Sequence, residues 1–389
     1  MATNKKITPK IKKLSTNEVE KAVSAHPKRL VLLDAHAILH RAYHALPDFA
    51  TARGEPTGAL YGLSAMLISI IEGLKPDYVV ACYDLKGPTY RHEIYKEYKA
   101  QRKTPDEALV AQMGRSRDIF TALNIPIYDK QGFEADDMLG TIVEQVTSGK
   151  LQVASEEKQN SGKTLDSRVR GNDKLEVIIA SGDMDTLQLV KGEEVKVYTF
   201  KKGIKDTIMY DEKMVNERYG FGPELVADYK GLRGDPSDNI IGVKGIGEKT
   251  GTVLITTFGP IESIYKALDA KQDKKFAQAG ITPRIIQLLR DNREEAEFSK
   301  MLATIRRDAP ITFTLPEKTF KENLDVKKVT ALWNELEFRA LTQRLQKAVR
   351  VESPKVLKSE SMPSATIGGG SQIQSIQNTS SGVTQSTPD

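Results

Sequence analysis

One cysteine, Cys82, stands in 389 residues, so no intramolecular disulfide is available; its place in an apolar run reads as a small buried thiol. A reducing cytosol suits such a chain. No apolar run approaches the roughly 18 residues that span a bilayer, which excludes membrane insertion. The opening MATNKKITPKIKK is basic, but no apolar stretch with a cleavage site follows. That excludes a secretory signal and leaves residues 1–28 as a flexible arm. Charge of one sign is not in large excess either: 57 Lys and Arg against 52 Asp and Glu give +5, a hint of a polyanionic partner and no more. Aromatic residues are missing from the last stretch, where Ser, Thr, Gln, Gly and Pro dominate without periodicity, so 351–389 reads as a disordered tail or linker. Residues 149–174 share that polar character and read as a surface insertion.

The remainder is ordinary for a folded chain, at 39% hydrophobic and 28% charged. Short β-prone runs at 30–34 (LVLLD), 77–84 (DYVVACYD), 125–128 (IPIY) and 175–183 (LEVIIASGD) alternate with helical periodicity. This order predicts an α/β domain over 29–210, with a mostly parallel central sheet flanked by helices. Leu60, Leu63, Leu67, Ile70, Ile71 and Leu74 recur at three- and four-residue steps and mark a core helix. Beyond residue 210 the strand signal fades, and Pro223–Leu232, Lys249–Phe258, Pro283–Asn292 and Val326–Leu345 read as basic helices of a second region over 211–350.

Asp34, Asp84 and Asp183 each follow a β-prone run directly, and the carboxyl ends of strands are where crevices open in an α/β sheet. GFEADD (132–137) adds Glu134, Asp136 and Asp137 at the start of a helix; Asp185 follows Asp183, and GDPSDN (234–239) brings Asp235 and Asp238. Any one of the nine reads equally well as a helix cap or a turn residue. Their joint placement favours a site, because carboxylates crowded together repel unless a cation neutralises them. Oxygen ligands without nearby cysteine suit Mg²⁺ or Mn²⁺ rather than Zn²⁺. Two such ions about 4 Å apart can activate water and stabilise the leaving oxygen of a phosphodiester. His36, His40 and His44 fall at four-residue steps, but three in a row span two turns and cannot all reach one ion.

The motifs LVLLDAH (30–36), ACYDLKGPTYRHE (81–93), YKAQR (98–102), GFEADD (132–137), SGDMD (181–185) and GDPSDNIIGVKGIGEKT (234–250) resemble, in this order, the 5′ nuclease domain of bacterial DNA polymerase I, related to the flap endonucleases. The resemblance runs from about Leu30 to Leu345. It implies a PIN-like 5′ nuclease fold, with two divalent ions, Mg²⁺ or Mn²⁺, held by Asp34, Asp84, Glu134, Asp136, Asp137, Asp183, Asp185, Asp235 and Asp238. It also implies a helix-hairpin-helix-like element over 239–258 that grips duplex DNA and binds K⁺. Met184, Ile241 and Gly251 depart from the family's usual residues, and the loop after YKAQR is slightly shorter.

Lys86, Arg91, Lys96, Lys99, Arg102 and Lys103 lie among Tyr90, Tyr95 and Tyr98, a mixture able to neutralise phosphates and stack on bases, or equally to form a solvated charged helix. The resemblance favours the former, as an arch in which Lys99 and Arg102 approach the scissile phosphate, supported by Arg91 and Tyr98. Arg41 and Tyr43 are further substrate contacts. In the hairpin, Lys244, Gly245, Gly247, Lys249 and Thr250 would hold the backbone without reading sequence. The expected activity is 5′→3′ exonuclease and flap endonuclease action on DNA with a 5′ flap, nick or RNA primer end, in the replication and repair of a bacterial cytoplasm, near the nucleoid. Polymerase domains or another partner would join through the tail. The alternatives are a DNA-junction-binding module with weak or no catalysis, and a metal-dependent ribonuclease.

Overall fold

The computed structural model describes residues 27–149, 152–153, 175–201, 203 and 206–349. The expected arm up to residue 26, the tail, and most of the expected insertion lie outside the described residues. The strands are β1 (Arg29–Asp34), β2 (Tyr78–Cys82), β3 (Ile127–Tyr128), β4 (Gln152–Val153), β5 (Glu176–Ala180), β6 (Val195–Phe200), β7 (Thr207–Tyr210) and β8 (Thr314–Leu315). Six of them form one sheet in the order β3-β2-β1-β5-β6-β7, parallel except for the β6–β7 pair. β4 falls within the stretch expected as an insertion and instead pairs with β8.

Five helices accompany the sheet: α1 (Ala35–Ala45), α2 (Gly58–Leu74), α3 (Tyr90–Ile94), α4 (Glu107–Ala122) and α5 (Ala135–Thr147). Seven follow it: α6 (Glu212–Tyr219), α7 (Val226–Arg233), α8 (Glu248–Phe258), α9 (Ile261–Asp269), α10 (Asp273–Gln278), α11 (Pro283–Asp291) and α12 (Arg293–Ala303). Three close the described chain: α13 (Phe320–Asn323), α14 (Val326–Glu335) and α15 (Arg339–Val349). No helix among the described residues is long and apolar enough to cross a membrane.

Alternation along the strands divides the core in two. Leu30 and Leu32 of β1 join Met138, Leu139 and Ile142 of α5 on one face, while Val31 and Leu33 join Leu60, Leu63 and Leu67 of α2 on the other. A parallel sheet covered on both faces needs apolar residues at every position, as LVLL supplies. The β6–β7 hairpin was not among the expected strands. Lys196 interrupts the apolar run VKVYTF, yet Val195 and Val197 still face the core.

The helix expected over Val326–Leu345 is two helices. At Glu337 the backbone takes a φ of +64°, ending α14 and turning the chain so that Trp333, Leu336, Phe338, Leu341 and Leu345 reach the core beside α2. The end of the basic helical region therefore packs on the α/β layers.

α7 and α8 are joined by a hairpin turn over 234–247, which contains the first part of the stretch 239–258. Val243 N donates to Leu232 O at 2.8 Å and Gly242 N to Ser299 Oγ at 3.0 Å, pinning the turn to α7 and α12. Gly242 has a φ of +64°, and a Cβ there would lie 2.1 Å from Gly234 N. Gly242→Ala is expected to cost about 2–4 kcal/mol of stability through strain and overpacking. An unchanged urea unfolding midpoint would refute this.

Candidate metal centre and nucleic-acid interface

The strand order reverses between β1 and β5, and the acids gather at the carboxyl ends there. Asp34 ends β1 and caps α1, accepting from Ala37 N at 3.0 Å and from Ser181 Oγ, beyond β5, at 2.7 Å. Burial, with Asp84 and then Asp183 adding to it, pushes its carboxyl up to about 6. Asp84 accepts from Ala135 N at 2.7 Å and lies 2.9 Å from His36 Nδ1. Desolvation pushes Asp84 up, but the His36 ring, the Ala135 amide and Lys99 hold it below the usual range.

Glu134 caps α5, and Asp136 and Asp137 occupy its first turn, pointing different ways. Asp136 Oδ1 is buried without a hydrogen-bond partner; burial and Asp137 hold this carboxyl well above the usual range. Asp137 is fully buried and turned inward: Arg91 Nη1 and Nη2 each donate to it at 2.9 Å, and Arg306 N donates to it at 2.9 Å. Arg91 also reaches Glu134 and the carbonyls of Leu302 and Thr304. Arg91 and Asp137 are both buried and border neither cleft, so Arg91 lies beneath the acids.

Asp34, Asp84, Glu134, Asp136 and Asp183 line a cleft of about 600 Å³, with Lys99, Arg102, His36 and His40 on its walls. Lys99 has a φ of +56° and is held by both chain and side chain: its N donates to Asp238 O at 3.0 Å and its Nζ to Glu134 at 2.8 Å. Arg102 Nη2 donates to Asp238 Oδ1 at 2.5 Å. The Tyr98 hydroxyl lies 3.0 Å from Glu134 and 3.1 Å from Asp238. Tyr98 is therefore buried beneath the acids, not free to stack on a base. The three histidines do not converge. His36 serves Asp84, the rings of His40 and His44 are 6.4 Å apart, and burial, with His36 and His44 beside it, pushes the His40 ring below its ordinary range.

Asp183 also borders a second cleft of about 890 Å³, with Asp185, Asp235, Lys230, Arg41, Arg218 and Arg233. Lys230 Nζ donates to both Asp185 and Asp235. Burial and Asp183 push Asp185 up to about 7 against the pull of Lys230, whereas Lys230 and Ser237 overcome burial and hold Asp235 low. Arg41 donates to the carbonyls of Phe200 and Gly203, and the Tyr43 hydroxyl to Asp106 at 3.1 Å. Lys244, Gly245, Gly247 and Lys249 are exposed on the hairpin, and Thr250 is half-buried at the start of α8.

Among the described residues no three His, Cys, Asp or Glu side chains close on an ion by themselves. A hard divalent ion does not require it, since Mg²⁺ keeps several waters and takes one or two carboxylates directly. The unpartnered Asp136 oxygen and the all-oxygen donors fit such an ion. Sequence reasoning missed Lys230, five residues before Asp235, and Ser181, the first residue of SGDMD. The signal for Lys230 was a cation one helical turn ahead of the GDPSDN acids.

The family described as 5'-3' exonuclease, N-terminal resolvase-like domain, matches residues 29–159, and its C-terminal SAM fold matches 221–325, together more than half of the chain. The chain is 35% identical over 331 residues to DNA polymerase I of Bacillus caldotenax, covering 85% of this chain and 34% of that protein. It is 36% identical over 320 residues to DNA polymerase I of Caldicellulosiruptor bescii, covering 82% and 33%. The chain thus spans about a third of the length of these curated relatives. Among solved structures, the T5 D15 protein crystallised with metal ions has a TM-score of 0.53 at 19% identity, covering 83% of this chain and 100% of that one. The T5 5'-exonuclease with zinc has a TM-score of 0.52 at 20% identity, with the same coverage. At such identity the likeness shows the fold.

Proposed function

Because the chain belongs to the 5'-3' exonuclease family, we propose that it hydrolyses DNA phosphodiesters as a structure-specific 5′→3′ exonuclease and flap endonuclease, using Mg²⁺ or Mn²⁺ in a bacterial cytoplasm. Five carboxylates on one cleft, with Lys99 and Arg102 beside them, carry this assignment most directly. The T5 structures support it, since one holds divalent zinc and another is a flap endonuclease complex with DNA and metal ions. Asp34, Asp84, Asp136 and Asp183 would hold the first ion, and Asp183, Asp185 and Asp235 the second. Bound ions supply an activated water and charge neutralisation at the scissile phosphate. Asp137 would act through Arg91 to fix the start of α5.

Lys99 and Arg102 lie at the cleft, where a phosphate entering could draw them from Glu134 and Asp238. The exposed hairpin, with Lys244 and Lys249, would bind duplex backbone without reading bases, and K⁺ through its carbonyls. Polymerase domains are the proposed neighbours, in keeping with the relatives' names.

The test is a panel of 5′-labelled flap, nicked duplex and single-stranded RNA, each with Mn²⁺ and with chelator. Metal-dependent release of the flap is expected. Binding of the flap without cleavage would overturn the assignment in favour of a binding module, and preferred cutting of RNA in favour of a ribonuclease. Lys99→Ala is expected to slow single-turnover flap cleavage on the order of 10²-fold, the usual cost of losing one preorganised charge at a transition state. Rapid-quench rates at saturating protein check this.

A further inference from the structure

The two halves of the acid rim differ in what faces them. At Asp136 an oxygen is buried with no donor, and the nearest cation, Arg91, stands 3.9 Å away with its donors committed elsewhere. At Asp185 and Asp235 the opposite holds: the ammonium of Lys230 lies between them and donates to both. Lys230 is only 14% exposed at its side chain, yet it borders the open second cleft.

Resting on the function proposed above, we infer that Lys230 is an internal counter-ion occupying the place of the second divalent ion, and that it must swing out before that ion can load. A carboxylate oxygen that accepts from an ammonium presents less to a metal, and a lysine cation and a divalent ion repel each other at contact distance. Lysine is suited to leaving, because its charge rides on a flexible four-carbon stem with rotatable donors. The cleft beside it offers room, and a DNA phosphate there gives the ammonium another anion to meet. The half containing Asp136 therefore loads without DNA, while the half containing Asp185 and Asp235 loads when substrate draws Lys230 away. The free protein keeps its second acid pair neutralised until there is something to cut.

Mn²⁺ titrated calorimetrically into the full chain without DNA tests this. The wild type is expected to show one strong and one weak site. If Lys230 holds its acids in nine of ten molecules, Lys230→Met strengthens the weak site about tenfold, since apparent affinity scales with the competent fraction. Lys213→Met, which removes the same charge from an 82% exposed lysine on α6, leaves both sites as they were. Unchanged or weaker second-site binding in Lys230→Met, or equal strengthening by Lys213→Met, overturns the inference alone. Absence of Mn²⁺ binding by every variant overturns it together with the proposed function. Should Lys230→Met fail to fold, acetylation of the wild type read by mass spectrometry decides. Lys230 should be protected without metal and become reactive at saturating Mn²⁺, and unchanged reactivity overturns the inference.

Discussion

Asparagine in place of Asp136 is expected to lower single-turnover flap cleavage on the order of 10³-fold while DNA binding in Ca²⁺ stays within about twofold. The same variant should unfold at an equal or higher temperature than the wild type without metal. Both follow from one atom: Asp136 Oδ1 is buried with no donor, and burial with Asp137 pushes the carboxyl up, so the charge costs the free protein stability. Asparagine keeps the shape and removes the charge. A group that destabilises the fold yet persists there is the trade expected of a functional site. Cleavage at the wild-type rate would remove Asp136 from the metal centre. Cleavage lost together with several degrees of melting temperature would make its role structural.

Methionine in place of Arg91 is expected to cost about 3–5 kcal/mol of stability, the range for breaking a buried ion pair by removing one partner. Arg91 is 1% exposed and donates to Asp137, Glu134 and two carbonyls that join α5 to the end of α12. Without it, Asp137 is left as a buried carboxylate accepting only from backbone amides. The double variant Arg91→Met/Asp137→Asn should regain part of the loss, since the stranded charge is gone. Urea unfolding followed by the fluorescence of Trp333 measures both. A loss below about 1 kcal/mol in Arg91→Met, with cleavage impaired, would return Arg91 to the substrate instead.

This pair shows how far the sequence could be read. Asp34, Asp84 and Asp183 were legible because each follows a run such as LVLL that only a buried strand explains, and strand ends on one sheet share an edge. Glu134, Asp136 and Asp137 were legible as the start of a helix but not as individuals. Adjacent residues on a helix lie about 100° apart, so Asp136 faces the cleft while Asp137 faces the core. Which of them does so depends on the rotation of α5, and that is set by Met138, Leu139 and Ile142 packing on β1. Arg91 and Tyr98 fell among cations and aromatics that composition alone groups with the solvent-facing arch. Their burial follows from α12 closing over them, a contact with a partner about 200 residues away. Lys230 could be read from its place ahead of GDPSDN as a partner for Asp235, but not as one for Asp185, which is distant in sequence and comes close only once the turn Met184–Leu189 has met α7.

The packing of α14 and α15 also sets where this protein can be cut. The C-terminal family match ends at residue 325, before either helix begins. A fragment stopped there would keep every acid of the rim but lose Trp333, Leu336, Phe338, Leu341 and Leu345, all buried beside α2. Five such side chains are worth on the order of 10 kcal/mol of burial, comparable to the whole stability of an ordinary domain. The α/β layers and the last two helices are thus one folding unit. A cut between α13 and α14 is therefore expected to cost the protein stability while leaving every acid of the rim in place.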